Sequence, residues 1–113
     1  MDKNEDVEIE YWCNGNKRSE VHYNCNGKEE GLRTDWYESG TKKSECKYST
    51  GRITGIANTW YESGQMEFEI PFKIGARHGV EIKWSESGTI ESEDFYEKGS
   101  PKGKLPLNYT SKK

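Results

Sequence analysis

Apolar and polar residues alternate strictly in the stretch Gly79-Val80-Glu81-Ile82-Lys83-Trp84, where Val80, Ile82 and Trp84 interleave with Glu81, Lys83 and Ser85. Period two is the signature of a strand with one face turned toward a core. Ser87-Gly88 follows, and a glycine able to take positive φ is what a tight hairpin turn demands. A second strand, Thr89 to Tyr96, leads to Glu97-Lys98-Gly99. The segment therefore predicts strand, tight turn, strand and a looser return turn.

The same unit recurs. Gly27, Gly51, Gly75 and Gly99 stand 24 residues apart, as do Gly31, Gly55, Gly79 and Gly103. Gly15, Gly40, Gly64 and Gly88 step by 25, 24 and 24, and these three columns account for all 12 glycines. Counted from the third column, Tyr11, Trp36, Trp60 and Trp84 stand four residues before the glycine. Trp12, Tyr37, Tyr61 and Ser85 stand three before it, Glu20, Glu45, Glu69 and Glu93 five after it, and Tyr23, Tyr48, Phe72 and Tyr96 eight after it. A period in this range means stacked supersecondary units. Helix is excluded because glycine cuts each candidate segment within about ten residues, too short to stand alone in water. The fold expected is all-β: an elongated antiparallel meander of four hairpin repeats over residues 7–103. Residues 1–6 would be a disordered or capping N-terminus, and 104–113 a tail or edge cap. The first repeat carries one extra residue around Asn24-Cys25-Asn26, which predicts a longer turn or a bulge.

Parity then sorts the columns into faces. One face is expected to gather Tyr11, Trp36, Trp60 and Trp84 with Val21, Tyr23, Cys46, Tyr48, Met66, Phe68, Ile70, Phe72, Ile90 and Tyr96. The other gathers Glu8, Glu10, Trp12, Asp35, Tyr37, Thr59, Tyr61 and Lys83 with the ladder Glu20, Glu45, Glu69 and Glu93. The ladder reads as a solvated strand face with Arg18, Lys43 or Lys47 as cross-strand partners.

Composition narrows the function classes. The 113 residues are 30% hydrophobic and 33% charged with net charge −3, polar enough to suggest disorder were the four Trp, seven Tyr and three Phe not in register with the glycines. Both halves are slightly acidic, so the basic footprint of a nucleic-acid binder is missing. The charged start Met1-Asp2-Lys3-Asn4-Glu5-Asp6 lacks the apolar core of a signal peptide, which leads to the expectation of a cytoplasmic protein. Cys13, Cys25 and Cys46, three in number, fit reduced thiols rather than a disulfide framework. Their spacing, with isolated His22 and His78, does not suit a metal site. Repeated glutamates share like environments, whereas acid–base catalysis needs unlike ones, and neither histidine serves as a base for a nucleophile. No phosphate loop is present. The chain is expected to be no enzyme and to need no cofactor.

The segments Trp36-Tyr37-Glu38-Ser39-Gly40 and Trp60-Tyr61-Glu62-Ser63-Gly64-Gln65 resemble the MORN-repeat variant, of the type found in bacterial YwqK-family antitoxins. The core is altered in Tyr11-Trp12-Cys13-Asn14-Gly15 and in Trp84-Ser85-Glu86-Ser87-Gly88. The resemblance implies a curved sheet without cofactor, acting as a binding scaffold. It further implies a role as an immunity protein that occludes the active site of a cognate toxin, a basic protein such as a nuclease. The alternatives are a MORN-type scaffold or a membrane-surface module, the latter disfavoured by scarce basic clusters, and a self-assembling protein using its edge strands. Interface centres are enriched in aromatic anchors with steering charge around them. The partner-binding candidates are therefore Trp12, Asp35, Tyr37, Tyr61, Glu20, Glu45, Glu69 and Glu93.

Overall fold

The computed structural model describes residues 6–113; the expectation for residues 1–5 lies outside the described residues. The described residues form a single antiparallel sheet without helices. Its strands are β1 (Asp6–Tyr11), β2 (Lys17–Tyr23), β3 (Gly31–Trp36), β4 (Lys42–Ser49), β5 (Arg52–Trp60), β6 (Met66–Lys73), β7 (Ala76–Arg77), β8 (Gly79–Trp84), β9 (Ile90–Glu97) and β10 (Ser100–Pro101). Neighbours follow chain order from β1 to β6, then β8, β9 and β10, with β7 beside β6. This is the expected meander, and its extents of 46 × 32 × 19 Å are elongated.

Each hairpin closes the same way. The Trp12 N–H donates to the Asn16 carbonyl at 2.8 Å and Gly15 N–H to the Trp12 carbonyl at 2.9 Å. Tyr37, Tyr61 and Ser85 repeat both bonds with Thr41 and Gly40, Gln65 and Gly64, and Thr89 and Gly88. The return turns at Thr50-Gly51, Ile74-Gly75 and Lys98-Gly99 have two central residues, both at positive φ, as a type I′ turn requires. In the first repeat Gly27 N–H instead bonds back to the Asn24 carbonyl, so the extra residue makes a longer turn.

Two irregularities recur. Just after each hairpin turn the second strand contains one unmatched residue: Arg18, Lys43, Glu67 and Glu91. A one-residue bulge reverses which face the following side chains occupy relative to a simple count. Between repeats, β5 advances four residues from Thr54 to Asn58 while β4 advances two, and parity survives. The glycines Gly31, Gly55 and Gly79 sit at these junctions, at the start of or inside strands rather than in turns as expected. At Gly79 a side chain is also sterically barred, since a Cβ would lie 2.7 Å from Pro71 Cγ.

The one-residue bulges overturn the expected division of the faces. Direct pairing runs Ile9, Glu20, Thr34, Glu45, Asn58, Glu69, Ile82 and Glu93 across one face. Two residues along the first strands, Tyr11, Trp36, Trp60 and Trp84 share that face, here called the tryptophan face. The neighbouring row, Glu10, Ser19, Asp35, Ser44, Thr59, Phe68, Lys83 and Ser92, lies on the opposite or tyrosine face. With it go Val21, Tyr23, Cys46, Tyr48, Ala57, Ile70, Phe72 and Tyr96. Apolar residues therefore line both faces, and the fully excluded core is small. Only Val21, Ala57 and Ile82 are buried hydrophobics among the described residues.

Candidate functional site

The expected aromatic–acidic surface is divided between the two faces. Glu20, Glu45, Glu69 and Glu93 lie on the tryptophan face, whereas Asp35 pairs with Ser19 and Ser44 on the tyrosine face. Trp12 and Tyr37 join Asp35 there, because Arg18 stacks on Trp12 at 5.0 Å and Lys43 on Tyr37 at 5.6 Å. Tyr61 belongs with them, near Glu67, Lys83 and Glu91.

The three turn aromatics also have structural work. Trp12 Nε1 donates to the Trp36 carbonyl at 3.1 Å, Tyr37 Oη to the Trp60 carbonyl at 2.7 Å and Tyr61 Oη to the Trp84 carbonyl at 2.7 Å. Each repeat thus reaches into the next, and each bond gives a strand-end carbonyl a partner from the neighbouring repeat. Burial raises the Tyr37 and Tyr61 hydroxyls above the ordinary phenol value, with nearby glutamates adding to the effect. A tie of this kind could have been read from the coupled columns of turn aromatic and tryptophan.

On the tryptophan face the ladder is not uniform. Lys17 Nζ lies 2.8 Å from Glu20 Oε1, and Lys42 Nζ lies 3.3 Å from Glu45 Oε2. The same two lysines sit over the next tryptophans, Lys17 over Trp36 at 5.5 Å and Lys42 over Trp60 at 5.4 Å. These are not the partners expected, since the bulge sends Arg18 and Lys43 to the other face. Lys17 and the His22 ring hold the Glu20 carboxyl below its ordinary value, the lysine hydrogen bond being the largest cause. In the third and fourth repeats Met66 and Ile90 replace the lysine. Among the described residues Glu69 has no ion-pair partner.

Glu93 is held by the chain's own C-terminal segment. It accepts from the Ser111 hydroxyl, from Lys112 N–H at 2.8 Å and from Tyr109 Oη at 3.0 Å. Ser111 first, then Lys112, lowers the Glu93 carboxyl. Burial together with the Glu93 contact pushes Tyr109 up to about 12, and Glu69 is close enough to contribute. Tyr109 thus lies by the two glutamates that flank Ile82, which is 1% exposed.

On the tyrosine face a groove of about 400 Å³ is lined by Trp12, Arg18, Arg33, Asp35, Trp36, Lys43 and Ser44. Arg33 Nε approaches Asp35 Oδ2 at 3.3 Å, and its Nη1 approaches Glu29 at 3.6 Å. Cys13, Cys25 and Cys46 are free thiols, and burial raises that of Cys46. Among the described residues no three His, Cys, Asp or Glu side chains are grouped to hold a metal ion, and no helix is long and apolar enough to cross a membrane.

A single open sheet assembled from identical hairpins, each tied to the next through a turn aromatic, defines a β-repeat protein of the stacked-hairpin class. The MORN repeat variant matches residues 29–49, 53–73 and 77–98, more than half of the chain, and the protein belongs to that family. The first hairpin, with its altered Tyr11-Trp12-Cys13-Asn14-Gly15 core, lies outside the matched segments. No curated protein and no solved structure matches the chain.

Proposed function

We propose that this MORN-repeat protein is a non-catalytic binding module that neutralises a basic protein toxin by stoichiometric occlusion. The observation that carries this reading is the row of Glu20, Glu45, Glu69 and Glu93 beside Trp36, Trp60 and Trp84 on one continuous face. Carboxylates in such a row speed encounter with a cationic partner. Half-buried tryptophans supply the apolar anchors that slow release.

Co-expression with the product of the adjacent gene tests the reading. A one-to-one complex and relief of toxicity are expected, with both lost in a Glu45→Lys, Glu69→Lys variant that melts like the parent chain. Absence of a complex together with absence of rescue would overturn it.

A further inference from the structure

The charges of the tyrosine face change sign about the middle of the sheet. The four bulge residues, equivalent in the four repeats, run Arg18, Lys43, Glu67, Glu91. The same reversal appears on the first strands, where Arg33 and Asp35 of β3 correspond to Glu81 and Lys83 of β8, one step of 48 residues along. Between β3 and β8 stands β5, whose equivalent residues on this face are the uncharged Ala57 and Thr59.

We propose that the tyrosine face is the interface of a two-fold homodimer, with the axis running along β5. A closed dimer uses one patch on both subunits, so every contact occurs twice. Rotation about β5 turns β4 onto β6 of the second copy, β3 onto β8 and β2 onto β9. Lys43 then meets Glu67 of the second copy, and Arg18 meets its Glu91. Arg33 meets Glu81 and Asp35 meets Lys83, so all four positions pair opposite charges.

In the dimer the in-chain pairs Arg33–Asp35, at 3.3 Å, and Lys83–Glu91, at 3.4 Å, become parts of larger clusters of alternating charge, and the remaining groups are placed to take a second partner. Arg18 and Lys43 rest on aromatic rings rather than on carboxylates. Glu67 accepts only the Thr59 hydroxyl, at 3.4 Å, among the described residues. Glu81 Oε1 is buried without a hydrogen bond, its approach to Arg77 Nε at 3.3 Å being an ion pair only. On the axis the small Ala57 and Thr59 let two sheets approach to the roughly 10 Å at which sheets pack. The rows on either side bring Tyr48 against Phe72 of the second copy. A face of 46 × 32 Å has room for the ~800 Å² per partner of a stable interface.

The surface is separate from the tryptophan face, so the dimer and the toxin-binding reading stand or fall independently. Sedimentation velocity on the full chain tests it. The parent chain should sediment as a dimer that weakens at high salt. Arg18→Glu with Lys43→Glu makes all four bulge positions acidic, and Glu67→Lys with Glu91→Lys makes all four basic; each variant alone should be monomeric. Mixed in equal amounts they should form a heterodimer, because every reversed charge then meets its opposite. A parent chain that stays monomeric to about 100 µM overturns the proposal. So does a mixture that stays monomeric while both variants keep the parent melting curve. Should a reversed variant lose its sheet, Lys43→Gln with Glu67→Gln removes the charges instead. A dimer at least ~10-fold weaker at low salt supports the interface, and unchanged association overturns it.

Discussion

Tyr37 donates its hydroxyl to the carbonyl oxygen of Trp60 at 2.7 Å, and 24 residues later Tyr61 makes the same bond to Trp84. The bond spans two repeats and joins a turn on one to the end of the first strand of the next. A single-layer sheet has few buried side chains to hold its units in register, so such ties carry more of the order than they would in a globule.

Removing one hydroxyl should therefore weaken the contact between repeats without emptying a cavity. Tyr37→Phe or Tyr61→Phe is expected to cost about 1 kcal/mol, the usual net value of such a bond. In a domain near this size that lowers the melting midpoint by roughly 4–8 °C. Thermal unfolding followed by circular dichroism measures it, and a midpoint within a degree of the parent would show that the tie is ornamental.

The glycines should rank by their surroundings. Gly79→Ala sets a Cβ 2.7 Å from Pro71 Cγ at φ +129, whereas Gly55→Ala meets open space at φ +74. The first should cost more than about 2 kcal/mol and the second about 1 kcal/mol. Denaturant midpoints of the two variants settle the order, and equal midpoints would contradict it.

Ile74 is a β-branched residue at φ +48, and it is 65% exposed in a two-residue turn. Asparagine tolerates this conformation at much lower cost. Ile74→Asn is expected to stabilise the chain by roughly 0.5–1 kcal/mol, from relief of backbone strain. A lower urea midpoint would show that the exposed isoleucine makes up for its strain elsewhere.

Docking of the tail should be lost at both ends of the pH scale. The Glu93 carboxyl is lowered from 4.5 by its bonds to the tail, so that contribution is present above 4.5 and fades as the pH falls through the lowered value. Tyr109 is raised from 10.0 to about 12, so its contribution is whole below 10.0 and fades as the pH rises toward 12. The protection factor of the Lys112 amide, its exchange measured against the intrinsic rate at each pH, should be highest between those limits and lower outside them. Glu93→Gln should remove the acid limb, and an unchanged profile in that variant would refute the assignment.

The sequence by itself determined the repeat. Period-two alternation cut by glycines at steps of 24 specifies strands, turns and their order, because both signals are local. It also located the longer turn at Asn24, where one residue disturbs the spacing. The faces were decided by tertiary pairing. Arg18, Lys43, Glu67 and Glu91 look in the sequence like any strand residue, and only the partner strand reveals them as unmatched. One such residue exchanges the two sides of everything beyond it. That is why Glu45 shares a surface with Trp36 and not with Asp35, and why Lys42 rather than Lys43 is its ion partner. The hold of Tyr109 on Glu93 joins residues 16 apart through a tail with no periodicity, a contact no pattern announces. Local chemistry chose the scaffold, and the register between strands chose which side chains stand together on it.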